Sequence, residues 1–110
     1  MWTWGGISFG YRERDSLFTH DGVEVGRFRG REIFGSDGRY LGEAGTGGDA
    51  SRLITNAHKR ALARERFIPT LAPAQPHKAD RPGLPLYSGH VDFPSPLNLK
   101  AAGSYAAAPA

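Results

Sequence analysis

The sequence contains no cysteine, which excludes a disulfide framework, a thiolate metal site and a cysteine nucleophile. It also lacks any long apolar run, and its mean hydropathy is −0.45, so no transmembrane helix is expected. Met1-Trp2-Thr3-Trp4-Gly5-Gly6 has neither the basic nor the apolar stretch of a secretory signal, so a cytoplasmic protein is expected. Hydrophobic residues supply 39% of the 110, which is lean for a core, and the length allows one small domain. Other scarcities are regional. Proline is absent before Pro69, and only three of the 15 glycines lie beyond residue 48. Charge divides as well: residues 1–49 carry six basic and eight acidic side chains, residues 50–81 seven and two. The net charge of +3 therefore conceals a basic middle segment.

What is present in the first half is a repeat. An offset of 16 aligns residues 1–10, 17–26 and 33–42. The leading positions are Met1, Leu17 and Ile33, followed by Trp2, Phe18 and Phe34. A glycine recurs at Gly6, Gly22 and Gly38, an apolar residue at Phe9, Val25 and Leu41, and a closing glycine at Gly10, Gly26 and Gly42. Asp21-Gly22 and Asp37-Gly38, with Gly5-Gly6 in the first unit, are the residues of two-residue type I′ hairpin turns. The expected fold class is mainly β: a small repeat of β-hairpins, 16-residue petals around a common core, followed by one α-helix and an extended Pro-rich tail. The expected boundaries are a hairpin domain over 1–48, a basic amphipathic helix over 49–68, a Pro-rich strap over 69–93 that returns to the β body, and a disordered Ala/Pro tail over 94–110. Trp2, Phe18, Phe28, Phe34 and Tyr40 are the expected core or interface anchors. Arg27-Phe28-Arg29-Gly30-Arg31-Glu32 alternates like a strand with one wet face.

Gly10-Tyr11, Leu17 through Gly22, Val25 through Phe28, Glu32 through Gly38 and Tyr40 through Glu43 together resemble the bacterial four-fold β-flower proteins. Gly89-His90-Val91-Asp92-Phe93 is similar to the short Asp-Phe segment that closes many chains of that family. The resemblance covers residues 7–43 and that patch, and its motifs are short and turn-like. It implies a bacterial ring of hairpins and carries over no catalytic residue. A fourth 16-residue unit is missing; Leu86 through Phe93 is the candidate fourth petal, with different glycine spacing.

In the middle segment, Asp49 or Ser51 can cap a helix that Pro69 ends at Ile68. Ala50, Leu53, Ile54, Ala57, Ala61 and Ile68 would share one face. Arg52, Lys59 and Arg66 would lie on another side with Arg60 nearby and Arg64 closer to the apolar face. Such a face is either solvated surface or a contact for nucleic acid or an acidic partner. Its largely alanine apolar side argues against a membrane.

Signals for chemistry are few. There is no Gly-x-Ser-x-Gly elbow, and His20, His58, His77 and His90 are scattered over four segments. His20-Asp21 and His90-x-Asp92 lack the i, i+4 spacing of a helical metal pair. The hairpin turns account for Asp21 and Asp37, Glu24, Glu32 and Glu43 are expected on wet strand faces, and Gly42 through Gly48 reads as a flexible joint. No catalytic residue, metal or cofactor is therefore expected. The leading expectation is a noncatalytic protein that acts by protein–protein contact, with itself or another protein. Hairpins this short bury little area, so assembly or the docked helix should complete the core. The alternative is an accessory nucleic-acid-binding protein using the basic helix; a hydrolase or metal enzyme built on His20 or His90 comes third.

Overall fold

A computed structural model of the chain describes residues 1–45 and 50–99. The protein is mainly β. Its strands are β1 (Trp2–Thr3), β2 (Gly10–Glu13), β3 (Ser16–Thr19), β4 (Glu24–Arg29), β5 (Glu32–Phe34), β6 (Tyr40–Ala44), β7 (Arg52–Asn56) and β8 (His90–Asp92). They form one sheet in the order β1-β7-β6-β5-β4-β3-β2, with β8 also on β7. Every pairing is antiparallel except that of β1 with β7. Ser8 bridges back to Trp2, and the Phe9 N–H donates to the Met1 carbonyl at 2.9 Å. The segment entering β2 thus lies along β1, and the sheet nearly closes like a barrel.

Four cross-strand pairs hold similar places: Trp2 with Ser8, Phe18 with Glu24, Phe34 with Tyr40, and Ile54 with Asp92. The last is assembled from distant parts of the chain. The residues flanking these pairs point inward by strand alternation. Leu17, Ile33, Leu53, Phe9, Val25 and Phe93 belong to one buried cluster, with Met1 and Leu41 packed against it. Phe9 and Phe93 meet edge to face at 5.5 Å between ring centroids.

The turns differ from expectation. In the two Asp-Gly turns only the glycines have positive φ, +85° at Gly22 and +82° at Gly38, and neither Asp21 nor Asp37 does. Gly22 N–H donates to Thr19 O and Thr19 N–H to Val23 O; Gly38 to Gly35 and Gly35 to Arg39 repeat the pattern. These are three-residue loops closed by a left-handed glycine bulge, and the strand register shifts beside each. The aspartate serves the loop itself: the Asp37 carboxylate accepts the Arg39 N–H at 3.0 Å.

The helix expected over 49–68 is absent from described residues 50–68, where Arg52–Asn56 is a strand followed by a 3-10 turn over Ala57–Lys59. Leu53, Ile54 and Thr55 satisfy helical and strand patterns alike. Pairing decides, because β7 joins β6 on one edge and both β1 and β8 on the other. The returning hairpin arm is His90–Asp92 alone, paired with β7 rather than within Leu86 through Phe93. Residues 96–99 form a helical turn whose Leu99 packs on the core, so the tail expected from residue 94 begins as part of the body. Of the expected Gly42 through Gly48 joint, Gly42 lies in β6 and residues 46–49 fall outside the described residues.

From residue 60 to residue 88 the chain is an extended strap that passes the hairpin loops in reverse order. Arg64 N–H donates to Gly38 O at 2.7 Å, Ala72 to Gly22 at 2.8 Å and Arg81 to Gly6 at 2.8 Å. A companion bond precedes each: Tyr40 N–H to Leu62 O, Glu24 N–H to Thr70 O, and Ser8 N–H to the Asp80 carboxylate. A Cβ on Gly22 or Gly38 would collide with the Ala72 or Arg64 carbonyl, so these glycines also clear the strap's track.

Candidate functional sites

The five aromatics expected as anchors are all buried: Trp2, Phe18, Phe28, Phe34 and Tyr40. Two of them also hold the strap through their rings. The Trp2 indole N–H donates to Ala79 O at 2.8 Å and carries the Arg81 guanidinium on its face at 3.5 Å. Phe34 carries Arg64 at 5.6 Å. The Tyr40 side chain stays within the body: its hydroxyl donates to Glu43, and burial raises its pKa to about 12.

The five basic residues expected on the helix as a contact for nucleic acid or an acidic partner are dispersed. Arg52 is buried, with its guanidinium on the Trp4 carbonyl at 3.2 Å. Lys59 is held between Glu43 at 2.8 Å and Glu32 at 3.0 Å, which keeps its ammonium charged far above the ordinary lysine range. Those two glutamates are therefore ion-pair partners rather than idle groups on a wet face. Arg60 lies apart, beside a small cleft with Tyr40, Thr55 and Asp92. Only Arg64 and Arg66 stay together, on the strap, and the structure adds Arg27 and Arg29 from β4.

Glu24 corrects the wet-face expectation most sharply, because it is fully buried. Arg27 donates to both of its oxygens, at 3.0 and 3.3 Å, and Thr70 contributes its N–H and hydroxyl at 3.0 Å. Burial pushes this carboxyl up, but the hydrogen bonds from Arg27, Ser16 and Thr70 outweigh it and hold the pKa below 4.5. Thr70 lies 46 residues away on the strap; no local signal marks Glu24 as its anchor.

At the far end of the strap, a cleft of about 420 Å³ is lined by Ser8, His20, Asp21, His77, Lys78 and Asp80 among others. His20 is buried, its Nε2 lies 2.8 Å from Ser8 Oγ, and its ring packs on His77 at 4.1 Å between centroids. Burial, His77 and other nearby positive charges lower its pKa, with Asp21 opposing them. The Ser8–His20 pair lacks two parts of a nucleophilic centre. His20 Nδ1 has no partner to orient the ring, and the Ser8 N–H is already bound to Asp80, which removes it as an oxyanion donor. His90, at the start of β8, bonds the Ser88 carbonyl at 3.0 Å. Among the described residues, no three His, Asp or Glu side chains gather as metal ligands, and no helix is long and apolar enough to cross a membrane.

No protein-family model, curated protein or solved structure matches the chain.

Proposed function

We propose that the protein acts in the cytoplasm through protein–protein contact made by its strap, without catalysing a reaction. The observation that carries this reading is the exposure of Ile68 at 86% and Leu71 at 82% on a segment whose backbone is fixed to the hairpin loops. Burying two such side chains against a partner is worth roughly 1.5–3 kcal/mol each. Pro69, Pro73 and Pro76 remove backbone donors along the same stretch, so contact through side chains is favoured over addition of a strand. The four equivalent cross-strand pairs support a ring of four petals, as the β-flower resemblance implies, with the strap as its outer belt. The core is closed within one chain by β8 and Phe93, so self-assembly is not needed to complete it and would be a surface event.

The first partner to test is a second copy. Light scattering on the full chain at low and high salt should give a discrete, salt-resistant oligomer that Ile68→Asp with Leu71→Asp returns to monomer. A wild-type monomer at high micromolar concentration contradicts self-association, and an oligomer unaffected by the double substitution contradicts the strap as its interface. The nucleic-acid alternative loses its continuous basic face, because Arg52 and Lys59 are occupied within the fold.

A further inference from the structure

Two stretches with basic residues at every second position, Arg27 and Arg29 in β4 and Arg64 and Arg66 on the strap, converge on one small pocket. Extended backbone puts residues i and i+2 on the same side, and all four arginines line the shared space. Phe34, Phe67 and Glu65 complete the lining, and the volume is about 60 Å³. The rings hold two of the cations: Arg27 sits over Phe67 at 4.0 Å and Arg64 over Phe34 at 5.6 Å.

The charges do not cancel. Glu24 neutralises Arg27 from behind, which leaves Arg29, Arg64 and Arg66 facing Glu65 alone in the lining. The side chains of Arg29 and Arg66 make no hydrogen bond or ion pair among the described residues. Three guanidinium groups at a concave spot present more positive charge and more donors than a carboxylate can use. A tetrahedral dianion with several acceptor oxygens matches them better, because guanidinium forks bind such oxygens in pairs.

We infer that the Arg27, Arg29, Arg64 and Arg66 pocket binds a single phosphate dianion, either free or as the monoester group of a small molecule. This inference stands apart from the strap-contact reading, since it uses the arginine side of the strap and needs neither Ile68 nor Leu71.

Titrating the full chain with inorganic phosphate, O-phosphoserine or adenosine monophosphate, and following backbone amide shifts by NMR, tests it. Saturable shifts centred on residues 27–29 and 64–67 are expected. Equal affinity for all three probes identifies free phosphate as sufficient, and tighter binding of a monoester identifies a carried phosphate group. Arg64→Ala with Arg66→Ala, both exposed and outside the core, should weaken binding about tenfold or more, whereas Arg60→Ala should leave it unchanged. The inference is overturned if none of the probes shifts these amides at millimolar concentration, or if the double variant binds as wild type does. It is also overturned if a DNA or RNA duplex binds with steep salt dependence while the small phosphates do not.

Discussion

In the body, Phe9, Leu17, Ile33 and Leu53 are fully buried and meet one another across a nearly closed sheet. Between residues 60 and 88 the strap contains no buried residue, yet its path is fixed by backbone hydrogen bonds at three successive loops. One region is specified by side-chain volume, and the other by donors and acceptors that every residue type carries. This division explains the regional scarcities of glycine and proline. Glycine is concentrated where loops must turn and the strap must pass closely; proline is concentrated where the chain must stay extended. It also leaves strap side chains such as Ile68 and Leu71 available for contact, because backbone bonds hold the segment without them.

The contrast is broken most strongly from the body side. Phe9→Ala should cost about 3–5 kcal/mol and lower the unfolding midpoint in denaturant for every probe together. Gly38→Ala combines a positive φ with a collision against the strap backbone, and should cost roughly 1–3 kcal/mol. It should also release residues 62–64 in hydrogen exchange. Glu24→Gln keeps the shape but weakens the bonds from Arg27 and Thr70, for a loss of roughly 1–2 kcal/mol concentrated at residues 66–72. Ile68→Asp should change monomer stability by no more than about 0.5 kcal/mol, since that side chain touches solvent.

Acid sharpens the comparison because it acts where strap meets body. The His20 pKa is lowered in the folded protein, so the unfolded chain binds the proton more readily. Stability contributed by neutral His20 is present above its ordinary value of 6.5 and is lost as pH falls through the folded value. Glu24 adds a second decline at lower pH, below 4.5, as its depressed carboxyl takes up a proton. Thermal unfolding from pH 7 to pH 3 should show both steps in the wild type. The half-buried Met1 amine, whose pKa is lowered to about 6, shares the upper step, so His20→Gln should shrink that step and Glu24→Gln should remove the lower.

The loops were legible in the sequence because a left-handed backbone is a local demand that glycine meets, although the bulge form was not. Two-residue and three-residue loops both draw on Asp-Gly, and only the hydrogen-bond register separates them. Arg52 through Asn56 misled because Leu53 and Ile54 suit either element, and the deciding partners, Trp2 and Asp92, are distant in sequence. The strap's attachment had no side-chain pattern to read, as its bonds are mostly main chain to main chain. The arginine pocket was visible only in halves. Arg27 and Arg29 do share a strand, but the alternating stretch expected to run to Glu32 ends at Arg29, where Gly30 turns the chain, and placing Arg64 and Arg66 on a helix put them about 200° apart around its axis. Glu24 was hidden because its burial depends on Thr70.

Native-state hydrogen exchange resolved to single amides tests the central claim most directly. If the strap is fixed by its backbone, Arg64, Ala72 and Arg81 should be protected, though they should open at lower free energy than Ile33 and Leu53. Their protection should survive Ile68→Asp with Leu71→Asp. Exchange of those three amides at the rate of an unstructured peptide, with the body still protected, would contradict it.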